Sequence, residues 1–100
     1  MAYEILVHHL AAQELENVRV FDRRRIVAAI EKRLKHQPTS ATRSRKCLVS
    51  LTPGFEHLPP VWELKVGDFR VFYDVDSASR VVHVRAVRRK TAAERTEEIT

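Results

Sequence analysis

A lone cysteine, Cys47, excludes an internal disulfide and suits a reducing compartment. It sits in the apolar run Cys47-Leu48-Val49, where a small core residue is expected rather than a nucleophile. With only two glycines there is no glycine-rich phosphate loop, and neither a nucleophile elbow nor a CxxC pair occurs. His8 and His9 are adjacent, while His36 and His57 are isolated; no ligand spacing indicates zinc, so no metal and no cofactor are expected. No apolar run approaches the roughly eighteen residues of a membrane span, and no basic-then-apolar leader opens the chain. A cytoplasmic protein with no membrane partner is expected. Repeats and low-complexity tracts are missing too.

Positive charge is what the chain has in excess. Eighteen Lys and Arg against thirteen Asp and Glu give a formal net charge of +5 and a pI near 9.9. Anionic partners follow, nucleic acid first and an acidic protein second. One hundred residues predict a single domain, 1–100, that buries roughly two-thirds of its unfolded-chain surface without staples.

Tyr3 to Val7 reads as a short strand, followed by a helix from His9 to Glu16. A second helix is expected to start with Asp22 as N-cap and Phe21 stapled to Ile26, to bury Val27, Ile30 and Leu34, and to end at Pro38. Lys46 to Leu51 predicts another strand, close to the basic residues Arg43 and Arg45. Thr52 to Pro60 predicts a loop, and Thr91 to Ile99 a short helix-prone tail. Between these, Val61–Val66, Phe69–Val75 and a third strand through Val82, Val84 and Ala86 form an antiparallel set within Val61 to Lys90, with Arg88, Arg89 and Lys90 following the last strand. The fold class is α+β: strand, two helices, four strands of a mostly antiparallel sheet, and a short C-terminal helix.

Gly67-Asp68 is a two-residue turn that fixes the first hairpin, setting Val66 against Phe69, Lys65 against Arg70, Glu63 against Phe72 and Trp62 against Tyr73. A four-residue loop at Asp76–Ser79 then sets Arg70 against Arg85 and Phe72 against His83. In this register one face is apolar from Trp62 to Ala86 and receives the helices. The other face stays open, with Lys65, Arg70 and Arg85 in one row beside Glu63, Phe72 and His83. Directly opposed like charges cost up to about 1 kcal/mol per pair, which a bound anion would offset. A merely solvated basic face is the competing explanation.

Metal-independent RNA cleavage requires a base for the ribose 2′-hydroxyl, cations around the phosphate and an acid for the leaving 5′-oxygen. Arg70 and Arg85 are candidate phosphate clamps, because guanidinium presents a fork of donors and stays charged. Lys65, whose cationic neighbours favour its neutral form, and Glu63 are alternative bases; Glu63 equally serves to neutralise Lys65 or Arg70. His83 is a candidate acid or base, or a surface filler. Phe72 is a candidate stacking platform. Arg45, Lys46, Arg88, Arg89 and Lys90 add binding charge.

The segments Trp62-Glu-Leu-Lys-Val-Gly-Asp-Phe-Arg-Val-Phe-Tyr73 and Val84-Arg-Ala-Val-Arg-Arg-Lys90 resemble the RelE/ParE superfamily of bacterial type II toxins, on its RelE-like side. The resemblance implies an endoribonuclease that cleaves mRNA, on the ribosome, inhibits translation, and is neutralised by a cognate antitoxin whose acidic segment covers the cationic face. It puts Arg70 near the scissile phosphate, Lys65 on the preceding strand, and Lys90 at a second essential cation. Arg88 stands where such toxins carry glycine. The tail from Thr91 to Thr100 has no tyrosine, which favours the rival of a ParE-like, non-catalytic inhibitor of DNA gyrase; an inert relative still held by its antitoxin is the third reading.

Overall fold

The computed structural model describes residues 2–100. In chain order the elements are β1 (Glu4–Val7), α1 (His9–Glu16), α2 (Val20–Leu34), β2 (Arg45–Leu48), β3 (Val61–Val66), β4 (Phe69–Asp76), β5 (Val81–Arg89) and α3 (Thr96–Ile99). They build one five-stranded sheet in the order β1-β5-β4-β3-β2. β1 runs parallel to β5, and every other pairing is antiparallel. Among the described residues no helix is long and apolar enough to cross a membrane.

The helices pack on one face of the sheet through Ala11, Leu15, Ile26, Ile30 and Leu34, against Trp62, Leu64, Val71, Tyr73, Val82 and Val84. Ile26, Ile30 and Leu34 recur every fourth residue and form the buried stripe of α2. Val27 lies off that stripe and stays 41 % exposed. α2 begins at Val20, before the expected cap, and no side chain caps it. Asp22 instead falls in the first turn, where a carboxylate complements the helix dipole, and Phe21 is exposed rather than stapled. The guanidinium of Arg23 accounts for the early start. Its Nε donates to the carbonyl of Leu15 (2.8 Å), and its Nη2 to those of Glu16 and Val18 (3.0 Å each). These bonds add to the Val18 N–H on the Leu15 carbonyl, take up the carbonyls of Glu16 and Val18, and lock the tight link between the helices. Tyr73 spans the core in the other direction: its hydroxyl donates to the carbonyl of Pro38 at 2.6 Å. Burial pushes that phenol well above its ordinary pKa, so it remains a donor.

The β3–β4 register is the expected one, from Trp62↔Tyr73 to Val66↔Phe69. The β4–β5 register is not. The strands continue to Asp76 and resume at Val81, so the loop lies later than expected, and Asp74, not Phe72, stands opposite His83. A bulge then intervenes, since Tyr73 pairs with Val84 but Phe72 with Ala86. Arg85 is the extra residue, so Arg85 and Ala86 both turn away from the helices while Val87 joins the helical core. Arg88, not Arg85, is therefore the partner of Arg70.

The second face is also less open than the alternation implies. Phe55, from the β2–β3 connection, and Ile99, from α3, bury themselves against Val61, Phe72 and Ala86. The two covering segments are joined, Gly54 N–H donating to the carbonyl of Thr100 at 3.0 Å. Phe72 is fully buried, which removes it as an exposed stacking platform.

Candidate functional site

The turn between β3 and β4 positions two cations. Gly67 takes a φ of +57°, and Lys65 and Arg70 come to stand directly opposite each other. Arg70 Nη1 donates to the carbonyls of Gly67 and Phe69, 2.9 Å each, so backbone oxygens orient the guanidinium and leave Nε and Nη2 for a ligand. Among the described residues neither Lys65 nor Arg70 forms an ion pair. Two like charges are thus held together with no carboxylate in ion-pair contact with either among the described residues.

They open onto a cleft of about 430 Å³. Arg43, Ser44 and Lys46 line its β2 side, and Lys90, Glu94, Arg95 and Thr96 its C-terminal side. The buried carboxylate of Glu63 completes the lining. Lys46 Nζ lies 3.5 Å from Glu63 Oε1, and Thr96 Oγ1 donates to Glu63 Oε2 at 3.0 Å. Glu63 therefore neutralises Lys46 rather than Lys65 or Arg70. The Thr91 backbone N–H, and then its hydroxyl, hold the Glu94 carboxyl below its ordinary range. An anion entering here meets Arg43, Lys46, Lys65, Arg70, Lys90 and Arg95.

The other candidates are placed differently. Arg45 lines the cleft, yet it pairs with Leu64 on the helical side, and its guanidinium donates to the carbonyls of Ser40 and Arg33. Arg85 is buried and bound to Asp74 at 2.7 Å, so it is no open phosphate clamp. Arg88, though opposite Arg70, pairs with Glu14 and donates to the carbonyl of Ile99. Arg89 lies by Asp68 at 4.0 Å and borders a separate cleft with Asn17 and Val18. His83 bonds His8, Nδ1 to Nε2, at 2.8 Å, and does not line the cationic cleft. Burial, then Arg85 and His83, depress the His8 pKa. Among the described residues no group of three or more His, Cys, Asp or Glu could hold a metal ion.

Thr42, Ser44, Glu94, Arg95 and Thr96 also line the cleft and were missed by sequence reasoning; Arg95 and Thr96 are the ones brought in by the fold of the tail. Their signal was slight: Ile99 is the one large apolar side chain in a charged tail, and its burial brings Thr96 onto Glu63.

A family profile described as "ParE toxin of type II toxin-antitoxin system, parDE" matches residues 5–93. The chain belongs to this toxin family. Solved structures agree on the fold of the toxin. A chain of the archaeal RelE–RelB complex from Pyrococcus horikoshii OT3 superposes with a TM-score of 0.71 at 20 % identity, covering 93 % of this chain and 100 % of that one. A chain of the toxin–antitoxin complex RelBE2 from Mycobacterium tuberculosis gives 0.70 at 17 %, covering 90 % and 100 %. No curated protein matches the toxin at a significant level.

Proposed function

We propose that this toxin cleaves mRNA at the cationic cleft, on the ribosome, and so arrests translation. The observation that carries the reading is the pair Lys65 and Arg70, opposed across the hairpin and free of carboxylate partners. Arg70 Nε and Nη2 grip the scissile phosphate, and Lys65 adds a second charge beside it. Glu63 takes the proton of the ribose 2′-hydroxyl. The 2′-oxygen attacks phosphorus, the bond from phosphorus to the 5′-oxygen breaks, and the Lys65 ammonium protonates the departing oxygen. The products are a 2′,3′-cyclic phosphate and a 5′-hydroxyl end. The partner that silences the toxin is an antitoxin whose acidic segment orders over the cleft and occupies the same cations. The test is purified toxin on ribosomes programmed with a defined mRNA. Wild type is expected to leave 5′-hydroxyl ends, and Glu63→Gln to leave the message intact.

A second reading, non-catalytic inhibition of DNA gyrase, draws on the ParE family match over residues 5–93. It predicts DNA breaks and induced repair on expression, with intact transcripts.

A further inference from the structure

Glu63 is held from two ends. Lys46, its partner on the neighbouring strand, approaches Oε1 at 3.5 Å, and Thr96 Oγ1 donates to Oε2 at 3.0 Å. The Glu63 side chain is only 5 % exposed, whereas Lys46 is 61 % exposed, so water screens the ion pair from the lysine end and the Thr96 bond is the better shielded of the two. Thr96 is itself fixed by the segment that carries it. Ile99 is buried against Phe55, Phe72 and Ala86, Arg88 Nη1 donates to the Ile99 carbonyl at 2.8 Å, and Glu98 Oε1 accepts from Arg95 N–H at 2.8 Å. A hydroxyl carried by a short helix capped at its start and anchored at its Ile99 end is a directed donor, not a surface contact.

We infer that Thr96 is a positioning residue of the cleavage site: its hydroxyl sets the plane of the Glu63 carboxylate so that one oxygen faces the ribose 2′-hydroxyl. The inference rests on the proposed role of Glu63 as proton acceptor. Without the hydroxyl, Oε2 is free to rotate toward the Lys46 ammonium, and the carboxylate turns from the cleft into a two-oxygen contact with that lysine. Binding of the phosphate is a separate matter, since Arg70 and Lys65 do not touch Thr96. Loss of the hydroxyl therefore acts on the chemical step and spares substrate binding.

The experiment compares wild type, Thr96→Val, Thr96→Ser and Glu63→Gln in cleavage of a programmed mRNA, with the thermal midpoint of each protein measured alongside. Val keeps the shape of threonine and removes the donor; Ser keeps the donor. Thr96→Val is expected to lower kcat about tenfold or more with KM unchanged, as loss of one hydrogen bond to a charged group implies. Thr96→Ser is expected to restore most of that rate. The inference is overturned if Thr96→Val cleaves like wild type, if Ser is as impaired as Val, if the loss lies in KM, or if it merely follows a lowered thermal midpoint. Wild type and Glu63→Gln cleaving equally removes the role of Glu63, and Thr96 with it. A wild-type toxin that leaves every message intact defeats the cleavage reading itself.

Discussion

Asp74 grips Arg85 with both carboxylate oxygens, Oδ2 accepting from Nε at 2.7 Å and Oδ1 from Nη2 at 3.2 Å. Both side chains are almost wholly inaccessible, and Oδ2 also accepts from the Leu58 N–H at 3.0 Å. The pair thus fastens the bulge in β5 to the segment that covers the second face. Removing Asp74 takes away the buried counter-ion of Arg85 and leaves only the exposed Glu56 carboxylate, 3.4 Å from Nη1, to face the guanidinium. Asp74→Ala is expected to cost about 3–5 kcal/mol in urea denaturation. Loss of under about 1 kcal/mol would mean that the pair does not hold the cover in place.

Tyr73 and Pro38 make the corresponding tie on the helical side. Tyr73→Phe keeps the ring against Trp62 and strands a buried carbonyl, at about 1–3 kcal/mol. An unchanged denaturation midpoint would show that water reaches Pro38 in the variant.

Gly67 meets two separate demands. Its φ of +57° favours glycine, and a Cβ there would lie 2.7 Å from Arg25 Nη2. Gly67→Ala is expected to lose about 1 kcal/mol through the backbone alone. Adding Arg25→Ala should restore only the part due to contact. Full recovery in the double variant would show that the backbone carries no strain.

His8 gives a pH dependence whose sign is fixed. Burial, followed by Arg85 and His83, holds its imidazole below the ordinary value of 6.5, so the unfolded chain binds the proton more readily. The contribution is complete above 6.5 and is lost as pH falls from there toward the depressed folded value. Unfolding midpoints should therefore drop from neutral pH to about pH 5, and His8→Asn should flatten that slope. Asp76 and Glu94, both held below their ordinary ranges by hydrogen bonds, act only in more acid solution. Identical slopes in wild type and His8→Asn would remove His8 as the source.

The β3–β4 hairpin was legible in the sequence because two signals agree there. A glycine-containing turn sets the register, and strict alternation assigns the faces. Both signals weaken at β5. The loop begins later than its polar residues suggest, and the bulge places Arg85 and Ala86 on one face, which no period of two can encode. That displacement took Arg85 out of the cationic row and put Arg88 into register with Arg70. The covered second face was illegible for a different reason: Phe55 and Ile99 come from irregular or very short segments without periodicity. Of the cleft itself, Lys46, Glu63, Lys65 and Arg70 were readable from strand positions, and Lys90, just beyond β5, only from the family resemblance. Arg95 and Thr96 depend on how the tail folds back.

The most direct test of the central claim maps 5′-hydroxyl ends of cellular transcripts after induction of wild type and Arg70→Ala at equal protein level. The account predicts abundant new ends and arrested growth with wild type, and loss of both in the variant at an unchanged thermal midpoint. Undiminished cleavage by Arg70→Ala, or growth arrest by wild type with intact transcripts and broken DNA, would contradict it.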